Sequence, residues 1–167
     1  MQPPLLSEEV LSRVLRLARA DGLGVLTFAT FFAVSCAGVR DIPGAIVWLL
    51  VAGAGAIALH GVTLLREYEP RGLGWVVGSQ YLFLAVVLAH CAMRLGHYDP
   101  TSLREALTPE MKTTLAQANY AEEDFLHTVY VTTYAAIAAA VFLYKISLAV
   151  YFQRRRAVVA AALLTEE

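Results

Sequence analysis

The feature that most constrains this chain is a series of four apolar runs, each long enough to cross a bilayer as a helix. They are predicted at residues 23–39, 42–65, 73–95 and 128–152. A membrane-spanning helix needs roughly 20 mostly apolar residues, because the hydrocarbon core is about 30 Å thick. Only 16% of the residues are charged, whereas about a quarter are charged in soluble domains. The sequence therefore predicts an all-α integral membrane protein with four transmembrane helices.

The connections between the runs predict how the helices are arranged. Residues 39–42 form the short connection between the first two runs, and a polar turn at 66–72 joins the second to the third. Loops of this length connect antiparallel neighbours in helical bundles. We therefore expect residues 23–156 to form a four-helix antiparallel transmembrane domain, followed by a C-terminal tail at 157–167.

Basic residues gather on one predicted side of the membrane. They lie in the N-terminal segment, in the second turn and after the last run: Arg13, Arg16, Arg19, Arg66, Arg71, Arg154, Arg155 and Arg156. Because cytoplasmic loops carry an excess of Lys and Arg, we expect both termini in the cytoplasm. The acidic loop at 96–126 then lies on the opposite side. A short, Ala-rich chain of this kind favours a bacterial inner membrane.

Residues 1–22 predict an amphipathic helix that is too charged to span the bilayer. Its apolar side chains share one face, and its Ser, Glu and Arg side chains share the other. Two placements fit this pattern. The helix lies on the cytoplasmic leaflet with Arg13, Arg16 and Arg19 at the lipid headgroups, or it packs against the inner face of the bundle. Three further arginines after the last run are expected at the same membrane surface: Arg154, Arg155 and Arg156.

The acidic loop predicts a short helix of its own. Thr108 is a suitable N-cap, and Pro109 suits the first helical position because a proline there lacks only an N–H that would have no partner. Met111, Leu115 and Ala118 would share an apolar face. We expect this helix over the outer end of the bundle, either as a lid or as a docking surface.

Polar side chains from all four runs fall at one predicted depth. Helical geometry places Thr27, His60, Gln80 and Lys145 in a layer on the cytoplasmic side of the midplane. We expect these side chains to face one another, because a polar group facing lipid lacks a partner. No Asp or Glu lies within the predicted spans. Lys145 is therefore expected to be deprotonated, hydrated, paired with a partner subunit or ligand, or extended to the cytoplasmic surface.

A second polar group lies near the predicted extracytoplasmic rim. It contains His90, His97, Glu123, Asp124 and His127. Imidazole and carboxylate groups can hold zinc, copper or iron, and a structural hydrogen-bond network is the alternative. A haem held between two histidines would need a helix shift or a second subunit, because the histidines lie at different predicted depths.

The sequence contains no motif typical of soluble enzymes: no G-x-S-x-G, no P-loop, no H-E-x-x-H and no dinucleotide-binding fingerprint. We therefore expect a non-enzymatic accessory or structural subunit of a membrane complex. Its expected partners are the lipid bilayer and other membrane-protein subunits or copies of itself, with no nucleic acid. Two alternatives stay open. One is a homo-oligomeric channel, or a proton or solute pathway, lined by the His60, Gln80 and Lys145 layer. The other is a haem- or metal-binding redox protein that uses the histidines of the rim.

Overall fold

The computed structural model describes residues 7–164, and this part of the chain is helical from end to end apart from its turns. In chain order the helices are α1 (Ser7–Gly38), α2 (Ile42–Arg66), α3 (Gly72–Gly96), α4 (Thr101–Ala106), α5 (Pro109–Gln117), α6 (Glu122–Arg154) and α7 (Arg156–Leu164). Within this described part, α1, α2, α3 and α6 are long and apolar enough to span a membrane. The prediction of a multi-pass membrane protein with four such helices is therefore confirmed.

The turn between α1 and α2 follows from its local sequence. Arg40 adopts the left-handed conformation, with φ of 61°, and reverses the chain after α1. The Asp41 carboxylate then accepts a hydrogen bond of 3.0 Å from the backbone N–H of Gly44, which caps the first turn of α2. Pro43 lies in that turn, where its missing N–H costs no helical hydrogen bond. The short predicted hairpin connection is thus built from a cap and a proline.

Helix α1 extends further towards the N-terminus than the first predicted run. The segment predicted as a separate amphipathic helix is continuous with that run in α1. Its apolar residues Val10, Val14 and Ala18 are buried and pack within the protein, so this face contacts the chain's own interior. Placement of the charged face at the membrane surface stays a prediction. Residues 1–6 of the predicted helix and residues 165–167 of the tail lie outside the described residues.

The chain divides into two compact units, of which the first contains residues up to 87 and residues from 143 onward. Side chains from α1, α2, α3, α6 and α7 form its main apolar cluster: Val10, Val14, Ala18, Val62, Leu65, Leu73, Val76, Leu148, Phe152, Val159 and Leu163. Helix α7 lies in the segment predicted only as a tail. It contributes Val159 and Leu163 to this core, so the segment after the last membrane helix is part of the folded unit.

Glycines allow the helices of the first unit to approach one another closely. A Cβ atom at Gly55 would lie 2.8 Å from the backbone nitrogen of Leu26 and 3.0 Å from the carbonyl oxygen of Gly22. At Gly61 it would lie 2.7 Å from the carbonyl oxygen of Gly72. Small residues serve this purpose in membrane helices, where van der Waals packing drives association. Helix α2 therefore packs against α1 and α3 through its glycine face.

The second unit contains residues 88–142. Its short helix α5 has the predicted start, because the Thr108 hydroxyl accepts a hydrogen bond of 3.3 Å from the backbone N–H of Met111, and Pro109 is the first helical residue. The predicted loop helix is therefore confirmed. Helix α4 was not among the predicted elements, and α6 begins at Glu122 rather than at Thr128.

Candidate functional site

An ion pair joins α1 to α6 inside the first unit. The Nζ atom of Lys145 donates to both carboxylate oxygens of Asp21, at 2.8 Å to Oδ1 and 3.0 Å to Oδ2. The two side chains are only 3% and 4% exposed. A buried charge is stable only when it is paired and hydrogen-bonded. The further partners of this pair therefore decide what the site can do.

Two more side chains donate hydrogen bonds to the Asp21 carboxylate. The Gln80 amide of α3 donates to Oδ2 at 3.0 Å, and the Tyr144 hydroxyl of α6 donates to Oδ1 at 3.0 Å. The Ser79 hydroxyl donates to a backbone carbonyl of its own helix at 2.7 Å and lies 3.4 Å from the Gln80 amide nitrogen. Asp21 thus ties three membrane-spanning helices together through one carboxylate.

The space beside the pair is small and is lined by both polar and apolar side chains. The Nζ atom of Lys145 lies 4.4 Å from the centre of the Phe83 ring, a favourable position for a cation over an aromatic face. Val25 and Ala54 also line the space, which has no room for a water molecule. The two charges therefore neutralise each other within the chain.

The expectation that no acidic residue neutralises Lys145 is wrong. Asp21 precedes the first predicted run and was assigned to the charged N-terminal segment, whereas α1 continues through it without interruption. Asp21 follows Val14 and Ala18 at helical spacing and lies on the same buried face. An acidic residue within the apolar stripe of an unbroken helix is the sequence signal that could have identified it.

The structure brings together two of the four residues in the predicted polar layer. Gln80 and Lys145 meet at the Asp21 carboxylate. Thr27 does not join them, because it is exposed and its hydroxyl donates to a backbone carbonyl of its own helix at 2.8 Å. His60 is also exposed, and its ring packs edge-on against Trp75, with centres 5.6 Å apart. A pathway role for this layer stays a prediction.

The residues of the predicted rim lie in the second unit. Within residues 7–164, no three His, Cys, Asp or Glu side chains form a group that could hold a metal ion. His97 Nδ1 lies 3.2 Å from a backbone carbonyl of its own helix, and Asp124 is exposed. The His90 ring packs against Tyr134, with centres 6.4 Å apart. Metal or haem binding stays a prediction.

Glu123 and His127, also predicted at the rim, belong to a network of protein contacts. Glu123 accepts a hydrogen bond of 3.2 Å from the Tyr98 hydroxyl and forms an ion pair with Arg104. The His127 ring packs edge-on against the Tyr98 ring, with centres 5.2 Å apart. Desolvation, and then the Glu123 charge, raise the pKa of Tyr98. These contacts fit the structural network that the sequence offered as the alternative to a metal site.

The arginines predicted at the membrane surface all have solvent-accessible side chains. Arg155 is half-buried. The other five are exposed: Arg13, Arg16, Arg19, Arg154 and Arg156. Arg13 forms an ion pair of 3.1 Å with Glu9, and the Arg155 guanidinium lies 4.8 Å from the centre of the Tyr151 ring. Contact of these arginines with lipid headgroups stays a prediction.

Comparison of the chain with protein-family models, with curated proteins and with solved structures finds no match. The features that bear on its function are therefore those of the chain itself. They are the buried Asp21–Lys145 site and the surfaces that the described helices leave uncovered.

Proposed function

We propose that this chain is a non-enzymatic structural subunit of a membrane complex, and that a groove on α3 receives a transmembrane helix of the neighbouring subunit. Gly74, Trp75 and Gly78 line this groove together with Ile57 and Arg71. Its volume is about 440 Å³. The proposal rests on this groove.

The two glycines of the groove are not used by the packing of the chain itself. A Cβ atom at Gly74 or Gly78 would have no neighbouring atom within 4 Å. At Gly72, by contrast, it would lie 2.6 Å from the carbonyl oxygen of Gly61. Two small residues four positions apart let membrane helices approach closely. Trp75 is 47% exposed beside them, so the groove offers a large aromatic contact next to a flat helix surface.

The interior of the first unit supports the same proposal. Asp21 and Lys145 neutralise each other within the chain, so neither charge requires a partner or a bound ion. The space around them has no room for a water molecule. A charge-balanced interior suits a protein whose function lies in its outer contacts.

We also propose the setting of this subunit: an antiparallel four-helix bundle in a bacterial inner membrane, with both termini in the cytoplasm. The support is the position of the charges relative to the helices. Arg66 ends α2 and Arg154 ends α6, whereas Glu122, Glu123 and Asp124 begin α6 at its other end. Excess positive charge marks the cytoplasmic side of a membrane helix.

The test is the mass of the particle that carries this chain after mild extraction from its native membrane. We expect the wild-type chain in an assembly larger than one copy, and we expect the double variant G74L/G78L to be released from it. The matched control is G24L/G53L, because both of those glycines also have open space beside the Cβ position. A wild-type chain of monomer mass, or a groove variant that stays in the assembly, would reject the proposal.

The buried ion pair favours one second candidate, a proton pathway. Ionisable residues within membrane spans are costly and commonly belong to proton relays. In this candidate the Asp21–Lys145 pair opens transiently and one of its groups exchanges a proton. Proteoliposomes that contain a pH-sensitive dye test this directly. Flux through the wild type that is lost in D21N and K145M would support the pathway, and wild-type flux equal to that of empty liposomes would reject it.

A further inference from the structure

A second open groove, of about 600 Å³, lies along the N-terminal half of α1 and reaches the end of α2. Leu11, Leu15 and Leu23 form its apolar lining on α1, and Arg66 contributes from the last turn of α2. All of these residues belong to the first unit. The groove therefore combines an apolar wall with a basic end.

The basic side chains of this groove have no acidic partner in the part of the chain that the structure describes. Arg16, Arg19 and Arg66 line it, and no carboxylate among residues 7–164 forms an ion pair with any of the three. Arg13, on the same helix, differs because Glu9 pairs with it at 3.1 Å. The groove includes one acidic residue, Glu8. Three guanidinium groups against one carboxylate leave it with an excess of positive charge.

We propose that this groove binds an anionic phospholipid. The guanidinium groups of Arg16, Arg19 and Arg66 would hold the headgroup phosphate, since a guanidinium fork matches the geometry of phosphate oxygens. The leucines of the groove would contact the first part of an acyl chain. The combination of basic and apolar lining favours a lipid over a free phosphate ion, which would leave the apolar wall in water. This binding site is independent of the proposed helix groove on α3.

Native mass spectrometry of the purified chain, titrated in detergent with dioleoyl phosphatidylglycerol or dioleoyl phosphatidylcholine, tests the proposal. We expect the wild type to bind the anionic lipid at the lower concentration. In the variant R16Q/R19Q/R66Q the phosphatidylglycerol concentration needed for the same occupancy should rise at least about tenfold, because each basic residue near the membrane surface strengthens anionic lipid binding. If the triple variant does not fold, R66Q alone tests the same expectation with a smaller shift.

The matched control is R13Q/R154Q/R156Q, which removes the same charge from residues that line neither this groove nor the groove on α3. We expect the control to bind phosphatidylglycerol within about threefold of the wild type. Equal losses in the two triple variants would overturn the proposal, because they would show attraction by net charge alone. Displacement of the lipid by millimolar inorganic phosphate would also overturn it and would make the site one for a soluble anion.

Discussion

Replacing Lys145 with methionine should destabilise the protein strongly, because the Asp21 carboxylate would stay buried without its counter-charge. Removing one member of a buried ion pair costs about 3–5 kcal/mol. In this site Gln80 and Tyr144 still donate to Asp21 at 3.0 Å each. Methionine also has nearly the length of lysine and keeps the contact with Phe83. We therefore expect the lower end of that range, about 3 kcal/mol.

The double variant D21L/K145M should recover most of this loss. Removing both charges from a buried pair is often neutral or stabilising by about 1–4 kcal/mol. The change would leave the exposed Tyr144 hydroxyl and the buried Gln80 amide without their acceptor. The loss at the buried amide costs about 1–3 kcal/mol. The two effects nearly cancel, so the double variant should unfold close to the wild type. The coupling between the two substitutions should then be several kcal/mol, whereas independent sites add to within about 0.5 kcal/mol.

Thermal unfolding in one detergent, followed by tryptophan fluorescence, measures both effects. For a chain of this size a loss of about 3 kcal/mol lowers Tm by roughly 6–12 °C. The control is K112M, because Lys112 is half-exposed and pairs with Glu122 at 3.6 Å, a contact whose loss should cost less than about 1 kcal/mol. If K145M unfolds within about 2 °C of the wild type, or if the double variant shows the sum of both single losses, the reasoning is refuted.

Three further perturbations test the fold. G55A should cost about 1–3 kcal/mol in an unfolding assay, because its Cβ would lie 2.8 Å from the backbone nitrogen of Leu26, and wild-type stability would contradict the close approach. Hydrogen bonds from the hydroxyl and N–H of Thr101 lower the pKa of Asp99, so the stability they give α4 is present at neutral pH and is lost as pH falls through the folded-state pKa. The NMR signal of the Thr101 amide should therefore titrate with a midpoint below the ordinary aspartate pKa of about 3.9. A midpoint above that value would contradict this. T108A should raise hydrogen exchange in α5, since losing an N-cap costs about 1 kcal/mol, and unchanged exchange would show that the cap is dispensable.

The membrane-spanning helices could be predicted from the sequence because their signal is local. Each needs only a continuous apolar stretch of sufficient length, and the ends of α2 and α3 fall within one residue of the predicted spans. The start of α5 could also be predicted, because Thr108 and Pro109 form an N-terminal cap with a recognisable sequence pattern. Features determined by neighbouring residues were therefore predicted well.

The candidate site could be predicted only in part, because its contacts are not local. Gln80 and Lys145 were identified as intramembrane polar residues, but their common partner Asp21 lies 124 positions before Lys145. A hydropathy window that begins at Leu23 assigns Asp21 to the charged segment before it. Its burial depends on α1 continuing through residue 21 and on α3 and α6 covering that face, which no local pattern shows.

The prediction for the rim also failed to include a contact that is distant in the sequence. The sequence grouped Glu123 with nearby histidines because all of them can bind metals. In the structure Arg104 and Tyr98 contact Glu123. Arg104 lies on α4, a helix of six residues that is too short to have a distinct hydrophobic pattern. Without that helix, the ionic partner of Glu123 could not be predicted.

The proposed structural role depends on the buried ion pair between Asp21 and Lys145 inside the first unit. The most direct measurement is solid-state NMR of the protein in lipid bilayers, with dipolar recoupling between Lys145 Nζ and the Asp21 carboxylate carbon. We expect a strong coupling, because Nζ lies 2.8 and 3.0 Å from the two carboxylate oxygens. We also expect no exchange of the Lys145 ammonium signal with water. An absent coupling, with Lys145 in rapid exchange with water, would contradict the closed site and remove the support it gives to the proposed structural role.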